Sequence, residues 1–272
     1  MKSILLPVEN HALAGSCLET AWQIARRCES QVSAYALRPV HYQVVGAEPI
    51  VAGTFPPSEQ EDGEAYDGAK RHFDRFVAAH PQSDGAVMKW AATSPIDDNQ
   101  ISSISRIFDL TVVGRPAHTG EGPRMTTLEA ALFDSGRPIL VAPPKPRQTF
   151  GTNVVISWNQ SMESAHTVAF GIGLLKQADN VTVLTMEGVT VPGPEGAALS
   201  DYLAVHGIDA KELTVPSHGR KPGVAILEEA EKLGCDLLFK GAYTQSRLRQ
   251  MILGGPTSQI LDQTTLPVFM AN

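Results

Sequence analysis

The sequence is poor in cysteine, has no excess of positive charge and contains no long apolar run, and each shortage excludes a class of protein. Three cysteines in 272 residues are too few for a disulfide framework and suit a reducing cytoplasm. The formal net charge of −7 disfavours a protein that binds nucleic acid by neutralising phosphates. No apolar run approaches the roughly 18 residues of a membrane-spanning helix, and the apolar stretch before Glu9 is too short for the core of a secretory signal. We therefore expect a cytoplasmic protein with neither nucleic acid nor a membrane as its partner.

Recognisable catalytic and metal-binding motifs are also missing. The sequence has no G-x-S-x-G nucleophile turn and no H-E-x-x-H zinc motif, and its eight histidines show no metal-ligand spacing. Residues 63–70 approach a Walker phosphate loop, but no Ser or Thr follows Lys70 and no buried strand leads into the segment. We accordingly expect no catalytic residues and no metal ligands. His11 is the one histidine close to a predicted ligand crevice.

The sequence does contain a regular alternation of strands and helices. Residues 4–8 are apolar without polar alternation, as in a strand buried on both faces, and residues 14–27 have apolar side chains at helical spacing. A second strand at 31–37 completes a βαβ unit, which requires a parallel sheet. The rest of the first half continues this pattern, with strands predicted over 86–91, 110–114 and 138–142, helices over 61–79, 99–108 and 128–133, and a loop over 41–60.

A proline-rich segment divides the chain, and the pattern repeats after it. Three prolines in residues 143–146 cannot continue a helix or a sheet, so we predict a stiff linker over 144–151. It separates a first module, residues 1–143, from a second module, residues 152–272. The repeat is visible at residue level, since 108–114 parallels 235–241 and 138–141 parallels 267–270. The sequence therefore predicts an α/β fold of two tandem modules, each with about five strands and four helices.

The second module has the features of an anion site. Ligands of open parallel sheets bind beyond the carboxyl ends of the strands, where the strand order reverses. The segment after the fourth strand ends in Gly254-Gly255-Pro256, which suits the start of a helix whose free N–H groups and dipole attract a phosphate. Arg247 and Arg249 add positive charge nearby. The alternative interpretation is a plain loop-to-helix corner with two solvated arginines.

The sequence resembles the universal stress protein family in its tandem two-domain form, over nearly its whole length. The likeness is clearest in residues 154–161, 236–243, 246–249, 252–255 and 266–268. It implies Rossmann-like modules, each with a five-stranded parallel sheet in the order 3-2-1-4-5. It also implies that nucleotide-binding members carry G-x2-G-x9-G-(S/T) after strand four, around the phosphates of ATP, and an Asp at the end of strand one.

The second module fits that motif in part. Gly241 and Gly254 match the first and third glycines, whereas Thr244 stands in place of the second. Gly255 replaces the Ser/Thr, and Asn159 replaces the Asp as a neutral hydrogen-bonding group. A β-branched residue is disfavoured wherever the backbone needs a positive φ, so Thr244 is the more serious departure. The predicted adenine-nucleotide site comprises Ser157, Asn159, Met186, Lys240, Gly241, Thr244, Gly254, Gly255 and Thr257.

The first module departs further from the motif. Glu9 follows its first strand, Ala117 holds the place of the second glycine, and Met125 stands where Gly254 stands in the second module. Glu129 falls near the helix start, where a carboxylate would repel a phosphate. We therefore expect the first module to have lost the phosphate loop and to serve a structural or partner-facing role.

Two functional hypotheses follow. The first is a stress-response sensor or adaptor that binds ATP or another adenine nucleotide, with or without Mg²⁺, in the second module, and is at most a slow ATPase. The alternative is a nucleotide-independent interaction or dimerisation module of the same fold. The apolar closing strands, 139–141 and 268–270, are edge strands in this topology and would favour pairing. We expect the two modules to pair internally, whole chains to form a homodimer, and an unidentified protein to be the further partner.

Overall fold

The computed structural model describes residues 1–39, 41–43, 53–55, 57–82, 85–116, 122–242 and 255–272, with 41–43 and 53–55 described by their backbone alone. Within these ranges, no helix is both long enough and apolar enough to cross a bilayer.

The first module is a parallel sheet with two helices on each face. Its strands are β1 (Ser3–Val8), β2 (Gln31–Ala36), β5 (Val87–Trp90), β6 (Leu110–Gly114) and β7 (Ile139–Ala142). Its helices are α1 (Ala14–Cys28), α2 (Glu59–Ala79), α3 (Asp98–Ser105) and α4 (Met125–Phe133). The strands lie in the order β5-β2-β1-β6-β7, which is the predicted 3-2-1-4-5.

The second module repeats this plan. Its strands are β8 (Asn153–Trp158), β9 (Asn180–Met186), β10 (Ala210–Val215), β11 (Leu237–Gly241) and β12 (Val268–Ala271). Its helices are α5 (Met162–Leu175), α6 (Gly196–Val205), α7 (Pro222–Lys232) and α8 (Pro256–Gln263). The order β10-β9-β8-β11-β12 is again 3-2-1-4-5, so the predicted fold class is confirmed.

The closing strands of the two modules join the sheets. β7 and β12 pair antiparallel, with Val141 opposite Val268 and Ile139 opposite Met270. The result is one ten-stranded sheet in which β7 and β12 are central and β5 and β10 are the edges. Both hydrophobic layers continue across this junction, because each buried cluster contains residues of both modules. One layer lies under α1, α2, α5 and α6, and the other under α3, α4, α7 and α8.

Polar N-cap residues mark the start of several helices. The Ser58 hydroxyl accepts a hydrogen bond from the backbone N–H of Glu61, and the Glu61 carboxylate accepts one from the backbone N–H of Ser58. Asp97 and Gln100 form the same capping box. Ser161 accepts from the backbone N–H of Ser164 at the start of α5. These caps explain why α2 begins at Glu59 and α3 at Asp98, slightly earlier than their apolar periodicity predicts.

The prediction of a loop over 41–60 is corrected by the structure. Two short strands, β3 (His41–Gln43) and β4 (Gly53–Phe55), pair antiparallel outside the main sheet, and α2 begins within the same stretch. Three-residue strands carry too little periodicity to be read from sequence, and the Pro and Gly residues around them favour a loop interpretation.

The linker segment is hydrogen-bonded to both modules. The Ser16 hydroxyl donates to the carbonyl of Pro143 at 2.6 Å, and the Gln23 side-chain amide donates to the carbonyl of Arg147 at 2.6 Å. The Arg147 guanidinium donates to the carbonyl of Thr265 in the second module at 3.1 Å. The boundaries placed at 143 and 152 remain a prediction.

Candidate functional site

The strand order of the second module reverses between β8 and β11. Ser157 and Lys240 are register partners at the carboxyl ends of these strands, and Asn159 directly follows β8. Connections leave in opposite directions from neighbouring strands at such a reversal point, and a crevice forms between them. The structure thus brings Ser157, Asn159, Lys240 and Gly241 to one edge of the sheet.

The N-terminus of α8 lies at the same edge. β12 runs parallel to β11, so the helix that connects them runs back along the sheet and begins beside the carboxyl ends. Gly255 is the N-cap residue and supplies no side-chain hydrogen bond, and Pro256 occupies the first turn. The first N–H groups of α8 therefore lack the side-chain cap that Ser161 gives to α5.

Lys240 is a buried cation at this edge. Its side chain is 4% exposed, and its Nζ donates to the carbonyl of Gly241, the last residue of β11, at 2.6 Å. Burial lowers the pKa of Lys240 to about 8, and the charge of Glu163 on α5 acts in the opposite direction. The ammonium is therefore mostly charged at neutral pH.

Gly241 is required by packing. A Cβ at this position would lie 2.4 Å from the backbone nitrogen of Ser164, in the first turn of α5. Because backbone cannot yield as a flexible side chain does, β11 and α5 approach this closely only with glycine here.

We predict that Gly241→Ala lowers the free energy of unfolding by about 1–3 kcal/mol, the usual cost of overpacking. Urea unfolding followed by circular dichroism measures the change. Gly173→Ala, on the same helix α5 with nothing within 4 Å of its added Cβ, is the control and should not destabilise. Equal stability of Gly241→Ala and the wild type would contradict the packing role.

The loop between β9 and α6 lies over the end of β8. The backbone N–H of Val191 donates to the carbonyl of Asn159 at 3.1 Å, and the Trp158 indole N–H donates to the carbonyl of Pro194 at 2.9 Å. A Cβ on Gly193 would lie 2.3 Å from the carbonyl oxygen of Gln160. These contacts fix the segment that carries Asn159.

The remaining predicted residues lie in three settings. Met186 is fully buried in the hydrophobic layer under α7 and α8, so its side chain belongs to the core. Thr257 is buried in the first turn of α8. The predictions on Thr244 and Gly254, and on Arg247 and Arg249, lie outside the described residues.

The first module has its own crevice at the equivalent point, between the ends of β1 and β6. The loop from β1 to α1, the end of β6 and the start of α4 line a cavity of about 10 Å³. A cavity of this size holds about one water molecule.

The Arg124 side chain is held inside this crevice. Its guanidinium donates to the carbonyl of Arg38 at 2.9 Å, and lies 3.4 Å from an Asp98 carboxylate oxygen and 3.8 Å from a Glu9 carboxylate oxygen. The hydroxyl of Thr127 donates to the same Asp98 oxygen at 2.7 Å. The positive charge of Arg124, which would be needed to attract an anion, is thus already paired with the carboxylates of Asp98 and Glu9.

Burial dominates the titration of the groups in this cavity. It raises the pKa of Glu9 to about 7, although Arg124 lowers that pKa. Burial also lowers the pKa of His11 to about 4, and the ring Nδ1 accepts a hydrogen bond from the backbone N–H of Leu13 at 3.0 Å. Burial and the neighbouring Glu9 raise the pKa of the Cys17 thiol to about 12. At neutral pH the cavity therefore contains a neutral imidazole and an unreactive thiol.

Pro123 closes the crevice over the end of β6. A Cβ on Gly114 would lie 2.3 Å from the Pro123 ring, so glycine is needed here for the proline to pack. The sequence patterns did not indicate Pro123, Arg124, Thr127 or Asp98 as residues of this crevice. The Pro-Arg pair directly before a helix could have indicated this site. The helix was, however, predicted to begin at residue 128, whereas α4 begins at Met125.

No group of three or more His, Cys, Asp or Glu side chains that could hold a metal ion occurs within the described ranges.

Comparisons with known proteins agree with this architecture. The sequence model of the universal stress protein family matches residues 162–272. A universal stress protein of Synechocystis sp. (strain ATCC 27184 / PCC 6803 / Kazusa) is 30% identical over 173 residues, which cover 59% of this chain and 57% of that protein. The chain thus spans a little over half the length of this relative.

Solved structures share the fold over the whole chain. A universal stress protein from Archaeoglobus fulgidus DSM 4304 superposes with a TM-score of 0.73 at 15% identity, covering 99% of this chain and 96% of that chain. A putative universal stress protein from Pseudomonas aeruginosa UCBPP-PA14 gives a TM-score of 0.50 at 12% identity, covering 99% and 92%. At such low identity the likeness concerns the fold alone.

Proposed function

We propose that the second module binds an adenine nucleotide of the ATP type and acts as a sensor or adaptor in stress response. The basis for this proposal is that the sequence model of the universal stress protein family matches residues 162–272, which make up most of the second module. The observation that carries this proposal is that a helix N-terminus with glycine as its N-cap residue and a buried ammonium lie at the same edge of the sheet, at the point of strand reversal. Both groups favour an anion, and a nucleotide supplies one in its phosphates.

Each part of the ligand has a chemical counterpart at this edge. The N–H groups of the first turn of α8 would hold phosphate oxygens, with Thr257 in the same turn. Asn159, a neutral amide fixed beside the β9–α6 loop, would hydrogen-bond the ribose or the base. Binding rather than rapid hydrolysis is the proposed activity.

The second module should bind ATP, and Gly254→Glu should weaken that binding at least tenfold. Gly254 directly precedes Gly255, the N-cap residue of α8, so a glutamate there adds a negative charge next to the proposed phosphate site. Isothermal titration calorimetry with ATP, ADP and AMP, each with and without Mg²⁺, measures the effect. Gly63→Glu in α2, where an added side chain meets nothing within 4 Å, is the charge-matched control and should bind as the wild type does.

Two results would contradict this proposal. Absence of binding of all three nucleotides to the wild-type protein would remove the nucleotide function. Equal affinity of the wild type and the Gly254→Glu variant would remove the phosphate site from the start of α8.

A nucleotide-independent interaction role is the second candidate, and exposed apolar side chains favour it. Met162 on α5 is 73% exposed and Val205 on α6 is 86% exposed, with Phe170 and Tyr202 partly exposed on the same two helices. Such side chains at the surface are common in contact regions between proteins. This function predicts no nucleotide binding and an unchanged partner affinity in the Gly254→Glu variant.

A further inference from the structure

Lys240 is an under-satisfied buried ammonium. A lysine ammonium has three N–H donors, and within the described ranges Nζ makes one hydrogen bond, to the carbonyl of Gly241. The nearby Glu163 has a buried carboxylate oxygen, Oε2, that lacks a hydrogen-bond partner in the same ranges. Both groups lie where α5 begins and β11 ends.

The fold gives no structural reason for a charge at this position. Leu237, Leu238 and Phe239, the preceding residues of β11, are all fully buried and apolar. An apolar side chain of similar length, such as methionine, would continue this strand without the cost of burying an ammonium. A buried charge with donors to spare is typical of a functional site rather than of a core.

We propose that Lys240 Nζ is a direct phosphate ligand and makes the second module selective for phosphorylated ligands over their unphosphorylated counterparts. This inference rests on the proposed nucleotide function and adds to it a residue that determines specificity. The two spare N–H donors would bind phosphate oxygens that also accept from the N–H groups of α8, since both elements end at the same edge of the sheet. Glu163 would be a positioning residue that keeps the ammonium charged before a ligand arrives.

Lys240→Met should weaken ADP binding about ten- to hundredfold, the usual range for one charge-assisted hydrogen bond, and leave adenosine binding unchanged. Calorimetry with ADP and adenosine measures both ligands at pH 7. Lys176→Met removes the same charge from an exposed residue that follows α5, so it is the matched control and should bind both ligands as the wild type does. The wild-type affinity for ADP should fall above about pH 8, as Lys240 loses its proton, and the methionine variant should lose this pH dependence.

A measurement on the unmodified protein guards against effects of the substitution on folding. In NMR spectra of protein with ¹³C-labelled lysine, ADP should raise the pKa of Lys240 and shift its Cε resonance, whereas adenosine should do neither. Wild-type affinity in the Lys240→Met variant, or a Lys240 resonance that ADP leaves in place, would overturn this inference and leave the nucleotide function standing. A wild-type protein that binds no ADP would overturn both.

Discussion

Replacing Asp236 by alanine should lower the free energy of unfolding by about 3–5 kcal/mol, because it leaves buried donors without a partner. The side chain is 4% exposed, and its carboxylate accepts from the backbone N–H of Thr152 at 3.1 Å, the Thr152 hydroxyl at 2.6 Å and the backbone N–H of Asn153 at 2.9 Å. These bonds join the start of β8 to the start of β11, the two strands that flank the predicted crevice.

The first module supplies a matched control at the equivalent position. The Asp109 carboxylate accepts from the backbone N–H groups of Lys2 and Ser3 at 2.6 and 3.1 Å, but the residue is only half-buried. Water can replace its bonds, so Asp109→Ala should cost about 1 kcal/mol. Chemical denaturation at pH 7 compares the two variants. Equal losses would show that burial does not decide the strength of this repeated contact.

Glu9→Gln should stabilise the protein by about 3 kcal/mol at pH 8.5 and change little at pH 4, because the pKa of Glu9 rises from 4.5 to about 7 on folding. Below pH 4.5 the carboxyl group is protonated in the folded and the unfolded chain alike. As the pH rises from 4.5 to 7, the unfolded chain releases this proton more readily than the folded chain does, so folding loses stability. Above pH 7 the folded protein bears the full cost of an ionised carboxylate that is 18% exposed.

The measurement is the difference in unfolding free energy between the wild type and the Glu9→Gln variant from pH 4 to 8.5. Taking this difference removes the titration of groups that both proteins share, such as His11, whose burial favours the neutral form. A difference that stays constant across the range would show that folding leaves the pKa of Glu9 unchanged.

Much of the fold follows from patterns that are local in sequence. Apolar strands without alternation, helices with a clear apolar face and two repeated segments were sufficient for the element order and for tandem modules. The antiparallel register of β7 with β12 depends on which apolar edges meet in space, and no local pattern encodes it. The β3–β4 hairpin is too short to produce a periodic signal.

The candidate site was predictable where it depends on strand ends and less so where it depends on packing. Asn159, Lys240 and Gly241 follow from the ends of β8 and β11. The contact that requires Gly241, a close approach of Ser164 in α5, joins residues far apart in the chain. The ion cluster of Arg124, Glu9 and Asp98 likewise assembles three segments, and its low exposure becomes visible only once they are packed.

The antiparallel junction gives the molecule two unlike ends. Because the strands of one half point against those of the other, their carboxyl tips emerge at opposite margins of the shared sheet. One margin has a helix start whose N-cap residue is a glycine, and the other has an arginine paired with two carboxylates. A small molecule bound at the first margin and a protein bound at the second would not contact each other.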